Sequence, residues 1–247
     1  MTPSISQPSA GGEIEYEGRD LEVLADLPNY YDWIVDTFRP WLTGYTMEIG
    51  AGIGTISKRL AKHVEHLDIV EPSAHLAPMF PKALADNPDI SFYFETLEKR
   101  LPQLANDTCD TVVMVNVLEH IEDDGAAVDE LARVLKPGGH LLLFVPALQF
   151  LFSDLDALHG HYRRYHLGQL TRLLRRRGFR IRINRYFDLA GILPWWLINT
   201  IGGKTDFDPK MVKIYDRLVI PMSRLFERWI KPPVGRNIII VAERLTG

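Results

Sequence analysis

The chain of 247 residues holds a single cysteine, Cys109, so no internal disulfide can form. Such cysteine usage fits a reducing, cytoplasmic setting. Cys109 opens an expected buried strand, where a small inert core residue is the default role. A strong charge excess is missing too: 28 Lys and Arg against 32 Asp and Glu give a net charge of −4. That balance supplies no global attraction to nucleic acid. Long apolar runs are absent: the stretch Leu189 to Gly203 is uncharged but short and interrupted by glycine and proline. No transmembrane segment is expected from it. The start has no basic patch followed by apolar residues; residues 1–12 are rich in Ser, Pro and Gly. Residues 1–18 therefore read as a disordered tail rather than a leader. What is present is ample core material, 46% hydrophobic residues, which suits one domain over 19–247.

Periodicity along that domain alternates strands with helices. Residues 27–41 carry apolar side chains at helical spacing (Tyr30, Trp33, Ile34, Phe38, Trp41) and predict a helix ahead of the sheet. Strands are expected at 45–49, 66–70, 90–94, 111–116, 140–145, 179–186 and 237–243. Helices are expected at 55–63, from 73 to the Asn87-Pro88 stop, at 123–135 and at 167–177. Lys136-Pro-Gly-Gly139 reads as a helix stop and tight turn, and 153–166 as a loop. The alternation predicts an α/β fold with a doubly wound, parallel, seven-stranded Rossmann-like sheet. Between the last two strands, residues 187–236 are too long for a simple connection. They read as a lid or substrate-side insertion within the same domain, with a helical stretch near 212–230.

The most informative segment is Met47-Glu-Ile-Gly-Ala-Gly-Ile-Gly-Thr-Ile-Ser57, followed by Asp68-Ile-Val-Glu71. An apolar strand runs into a loop with Gly50, Gly52 and Gly54, and the next strand ends in a carboxylate. Glycines permit positive φ and close approach of backbone to a ligand. A carboxylate at that strand tip accepts hydrogen bonds from ribose hydroxyls. The unit reads as a nucleoside site. Dinucleotide loops favour G-x-G-x-x-G, whereas the sixth position from Gly50 is Thr55 and from Gly52 is Ser57. With Glu48 two residues before the first glycine, the spacing favours S-adenosylmethionine over NAD.

These motifs resemble the class I S-adenosylmethionine-dependent methyltransferases, in a bacterial branch associated with small-molecule and glycan modification. Glu48-Ile-Gly-Ala-Gly-Ile-Gly-Thr55, Val70-Glu-Pro-Ser73, Asn116-Val-Leu-Glu-His-Ile-Glu-Asp123, Leu135-Lys-Pro-Gly-Gly139 and Gly160-His-Tyr-Arg-Arg-Tyr165 carry the likeness. It extends through Trp195-Trp196 and Pro232-Pro233, and so covers nearly everything after residue 25. The resemblance implies that Gly50, Gly52 and Gly54 line a methionine moiety, with Glu48 near its amino group. It implies that Glu71 holds the ribose, Pro72 lies against adenine, and Thr96 and Leu97 flank the base. Asn116 and Val117 would face the methionine end, and Tyr30 would close over the carboxylate.

A sulfonium donor needs no metal, and none is expected. Methylation of a hydroxyl needs a base, and histidine suits that near neutral pH. His120 follows the fourth strand, and His159 and His161 follow the fifth, all at the carboxyl edge where such sheets bind ligands. His161 ranks first because Tyr162, Arg163 and Arg164 adjoin it and are placed to orient an acceptor. Nine arginines and no acidic residue occupy 163–185. That is either a solvated basic face or the mark of an anionic acceptor held near Arg163 and Arg164. The stretch 189–201 with Trp195 and Trp196 serves one of four ends: burying an apolar acceptor, forming a homodimer, resting on a membrane surface, or packing as a lid. O-methylation of a small molecule or glycan is the leading expectation. N- or C-methylation, an NAD-linked oxidoreductase and a non-catalytic cofactor-binding module are the alternatives.

Overall fold

The structure is a computed structural model that describes residues 26–246; the expected N-terminal tail lies outside them. Seven strands form one sheet: β1 Tyr45–Ile49, β2 His66–Val70, β3 Ile90–Tyr93, β4 Cys109–Val115, β5 Leu135–Pro146, β6 Phe179–Phe187 and β7 Asn237–Arg244. Their spatial order is β3-β2-β1-β4-β5-β7-β6. Chain direction between neighbours is parallel from β3 through β5.

The expectation of an all-parallel sheet needs correction, because β7 runs antiparallel to both β5 and β6. The register gives the reason. Phe187 at the end of β6 pairs with Asn237 at the start of β7, so the 187–236 insertion leaves and re-enters the sheet at one edge. That edge also holds the carboxyl ends of β1 and β4. The insertion therefore sits over the crevice where strand order reverses, the usual ligand position in open α/β sheets.

The central strands read as continuous apolar runs because both faces are covered, whereas edge strand β6 alternates with exposed Arg180, Arg182 and Asn184. Leu141, Leu143 and Val145 of β5 pack with Ile238 and Ile240 of β7 on one face. Leu142 and Phe144 pack with Ile239 and Val241 on the other. Cys109 is buried, and burial, then Asp68 and Asp110, pushes its thiol up to about 12. It is an inert core residue.

Helix boundaries depart from the sequence pattern where proline intervenes. The expected second helix breaks into a 3₁₀ turn, Ala74–Met79, and a short helix, Lys82–Ala85. Pro78 and Pro81 remove amide donors there. The 212–230 stretch becomes Pro209–Ile214, a π turn at Tyr215–Val219, and Ile220–Trp229. Pro221 offers no amide hydrogen to the turn before it, and a widened turn accommodates that loss. Lys136–Gly139 lies within the bounds of β5 as an irregularity of register between the Cys109–Leu135 and Thr111–His140 pairs, with Gly138 at φ +80°. The expected loop at 153–166 contains a helix, Asp154–Leu158, started by a reciprocal cap between Ser153 and Asp156.

Candidate active site

A cavity of about 940 Å³ opens at the carboxyl edge beneath the insertion. One half is built by the loops after β1, β2, β3 and β4. Gly50 has φ +75° and Gly52 φ +56°, conformations that side chains with a Cβ adopt at a cost. The Gly50 amide donates to Val70 O at 2.8 Å, tying the loop to β2. A Cβ on Gly50 would run into Val117. The Gly52 amide donates to Glu71 Oε2 at 2.7 Å, and the Ser73 amide to Oε1 at 2.9 Å. Glu71 thus holds two loops in register while lining the cavity. Burial raises its carboxyl, and the Ser73 and Gly52 amides oppose that rise.

Glu48 is almost fully buried, lines the same half, and has an oxygen, Oε2, with no partner. Burial pushes its carboxyl up to about 7, with Glu71 acting in the same direction. Asn116 follows β4 at φ +54°, a region that asparagine tolerates better than most residues. Pro72, Thr96, Leu97, Asn116 and Val117 all line the cavity, as does Tyr30. The Tyr30 hydroxyl is committed, donating to Asn237 Oδ1 at 2.9 Å and accepting from Arg236 Nη2 at 3.0 Å.

The other half follows β4 and β5. Asp156 is buried and receives Arg164 through both oxygens, Nε to Oδ1 at 3.0 Å and Nη2 to Oδ2 at 2.9 Å. His161 Nδ1 lies 2.9 Å from Asp156 Oδ1. Burial alone would raise the Asp156 carboxyl, but His161 and Arg164 outweigh it and hold it down at about 2. An ionised Asp156 fixes the His161 proton on Nδ1 and leaves Nε2 as an acceptor. The His120 ring stands edge-on to His161, with centroids 4.5 Å apart, and His159 lies 6.0 Å from His161. Burial first, then His161 and His159, pushes His120 down to about 3. It stays neutral near pH 7 and is a weak base.

The structure brings together at this cavity Tyr30, Glu48, Gly50, Gly52, Glu71, Pro72, Thr96, Leu97, Asn116, Val117, His120, His159, His161, Arg164 and Trp195. Four expected residues fall outside its lining. Gly54 instead faces the 74–85 segment, where a Cβ would meet Phe80 at 2.8 Å and Leu84 at 3.2 Å. Tyr162 is exposed. Arg163 pairs with Asp124 at 3.0 Å and donates to Glu122 O. Trp196 is exposed on the insertion. Of the remaining arginines of 163–185, Arg172, Arg175 and Arg176 are exposed, Arg180 and Arg182 pair with Glu243, Arg177 pairs with Asp129, and Arg185 is half-buried and donates to Thr37. That distribution matches a solvated basic face, with Arg164 alone among them lining the cavity.

Two residues escaped the sequence reading. Asp156 carried a signal, the Ser153-x-x-Asp156 capping spacing. Glu119 is buried with neither carboxyl oxygen paired, and burial pushes it up to about 7. Glu119, His120 and His161 each offer a ligand atom within 4.8 Å of the others, although no metal was expected.

Comparisons with known proteins bear on the β1–β5 half directly. Residues 47–143 match the methyltransferase domain family. An uncharacterized methyltransferase of Mycobacterium tuberculosis is 29% identical over 112 residues, 45% of this chain and 55% of the relative. The ubiquinone biosynthesis O-methyltransferase of Paracidovorax citrulli is 29% identical over 130 residues, 51% of this chain and 52% of the relative. The chain spans about half the length of the curated relatives it matches. Among solved structures, an S-adenosylmethionine dependent methyltransferase from Mesorhizobium loti superposes with a TM-score of 0.62 at 16% identity, covering 89% of this chain and 100% of that one. The [4+2]-cyclase SpnF reaches 0.56 at 17% identity, covering 88% and 80%. A cyclase on the same frame shows that architecture alone leaves the reaction open. Residues 47–143 thus form a methyltransferase domain by their family match, and the chain as a whole has the fold of the S-adenosylmethionine-dependent methyltransferases.

Proposed function

We propose that this protein transfers a methyl group from S-adenosylmethionine to a hydroxyl of a small-molecule or glycan acceptor. The observation that carries the reading is that one cavity holds both a nucleoside cradle and a His161–Asp156 dyad. The cradle fits the cofactor on two counts: bare backbone at Gly50 and Gly52, and an unpartnered buried oxygen on Glu48 suited to a cationic amino group. Glu71 would hold the ribose through lone pairs left over from its two amide bonds. Pro72, Thr96 and Leu97 would flank the base, and Asn116 and Val117 the methionine end. The cofactor supplies an electrophilic methyl group on a sulfonium.

The chain's own residues supply orientation and proton removal. Positioning an acceptor against the donor contributes up to about 7–11 kcal/mol in ideal cases. His161 Nε2 takes the hydroxyl proton, and Asp156 stabilises the resulting imidazolium. Arg164 keeps Asp156 ionised and in place, and its guanidinium lies over the Trp195 ring at 4.5 Å from the centroid. The insertion excludes water from above. The O-methyltransferase name of one relative supports oxygen as the acceptor atom; nitrogen or carbon is the nearest competitor. Titration calorimetry with S-adenosylhomocysteine and with NAD tests the cofactor assignment, and binding of NAD alone would overturn it. Labelled-methyl transfer into a cell extract, followed by mass spectrometry, identifies the acceptor.

A second reading rests on the Glu119, His120 and His161 cluster. A divalent cation held there would lower the acceptor's pKa in place of a base. Turnover that survives exhaustive chelation favours the dyad; turnover lost on chelation and restored by metal favours the cation.

The Glu48 carboxyl yields a pH prediction. Its raised pKa means that the folded state keeps a proton that an unfolded glutamate, with a pKa of about 4.3, has released. Stability of the free protein from this group therefore falls as pH rises from about 4.3 toward 7. A cationic amino group that pairs with ionised Glu48 reverses the preference. Affinity for S-adenosylhomocysteine is expected to rise with pH up to about 7, by as much as about tenfold per unit. Glu48→Gln should flatten that dependence; calorimetry at several pH values checks it.

A further inference from the structure

The insertion has a face that its own packing does not use. Met211, Ile214, Leu218, Met222, Leu225 and Trp229 recur at three- and four-residue spacing through its consecutive helical segments. Their exposure runs from 50% at Ile214 to 79% at Trp229. The opposite face packs Ile220, Val212 and Tyr215 against the core and buries two carboxylates beside them. Asp216 is buried and accepts from the Asn29 side chain and the Tyr30 amide. Glu227 is buried and accepts from the Leu189 amide at 2.8 Å. Core packing and these hydrogen bonds thus fix the run with its buried carboxylates inward and a second apolar stripe outward.

Within the helical run 209–231 itself the exposed charges are of one sign, although exposed Asp206 and Asp208 precede it. Between residues 209 and 231 Asp216 and Glu227 are the acidic residues, and both are buried. Lys210, Lys213, Arg217, Arg224, Arg228 and Lys231 are exposed or half-exposed. Lys213 pairs with Asp26 and Arg224 with Asp36. The chain as a whole is acidic, at −4, so this local polarity runs against its composition. An apolar stripe that ends in Trp229 and is bordered by cations complements an anionic lipid surface. No helix among the described residues is long and apolar enough to cross a membrane.

The stripe also leads to the cavity. Met211 and Ile214 belong to both, and Leu193, 60% exposed, lines the cavity from the insertion's other helix. We propose that this face rests on an anionic bilayer surface and turns the cavity mouth toward it, so that the acceptor is a hydroxyl on a lipid-borne molecule. The acceptor part rests on the methyl-transfer reading above; the docking part does not.

Flotation with the full chain, free of cofactor, tests docking. Vesicles of phosphatidylcholine with about one-third phosphatidylglycerol are compared with phosphatidylcholine alone. The protein should float with the anionic vesicles and release as salt rises. Met222→Glu with Leu225→Glu should reduce partitioning at least about tenfold, with an unchanged melting temperature and unchanged S-adenosylhomocysteine affinity. Lys210→Glu with Arg217→Glu provides a second variant that leaves the apolar stripe intact and should weaken binding to anionic vesicles only. Equal flotation of wild type and variants, or no flotation, would overturn the proposal. A wild-type dimer that the Met222→Glu, Leu225→Glu variant turns into a monomer would assign the face to a second copy instead. Failure of methyl transfer with docking intact would sink the reaction assignment alone.

Discussion

His161→Ala is expected to lower turnover by about 10²–10⁴-fold, the usual contribution of a positioned acid–base group, with S-adenosylhomocysteine affinity nearly unchanged. The split between the two readouts carries the argument, because His161 sits in the half of the cavity away from the glycine loop. Asp156→Asn should give a comparable loss for a different reason. An amide at that place donates as well as accepts, so it no longer enforces the Nδ1 proton, and the imidazolium loses its counter-charge. The same change leaves the Arg164 guanidinium, itself 4% exposed, without an anionic partner, so some stability should go with it. His161→Gln keeps much of the side-chain volume and supplies the control for packing. Steady-state kinetics with a melting curve on each variant separates the effects. If His120→Ala lowers turnover and His161→Ala does not, the base has been misassigned. The geometry disfavours that outcome, because a ring held near pKa 3 by burial is a poor proton acceptor.

Gly52→Val should weaken S-adenosylhomocysteine binding at least about 100-fold, equivalent to about 2.7 kcal/mol. Residue 52 adopts φ +56°, where a β-branched side chain is strained by roughly 1–3 kcal/mol. Relieving that strain shifts the amide that Glu71 accepts at 2.7 Å, and the new side chain enters the space lined by the loop. Gly54→Ala supplies the contrast. Its Cβ would press on Phe80 and Leu84, not on the cavity, so it should cost melting temperature more than affinity. Calorimetry and thermal denaturation on both variants check the distinction. Normal affinity in Gly52→Val would remove the loop from the cofactor site.

Much of this protein was legible from one dimension. Seven strands appear near the expected positions: the central ones because strands covered on both faces must be apolar, and edge strand β6 because it alternates apolar with polar residues. The glycine loop was readable because a turn at positive φ, as at Gly50 and Gly52, restricts residue type locally. Helix breaks at Pro78, Pro81 and Pro221 follow from missing amide donors, and they were also visible in principle.

The remainder depended on contacts between residues distant in sequence. Gly50, Gly52 and Gly54 look equivalent along the chain, yet Gly50 and Gly52 line the cavity while Gly54 packs against Phe80. His161 ranked first among three histidines only by its chain neighbours; in the fold it is Asp156 and Arg164 that converge on it, while burial disarms His120. Antiparallel β7 could not be read from alternation, because strand direction is set by where the insertion re-enters the sheet. The outward apolar stripe of 211–229 showed in the sequence only as a helical repeat. Which side faces solvent was decided by Ile220, packed in the core, together with Asp216 and Glu227, whose buried carboxylates find their donors on Asn29, Tyr30 and Leu189. Local pattern sets what a segment forms, and long-range hydrogen bonding and burial set which face it turns to water.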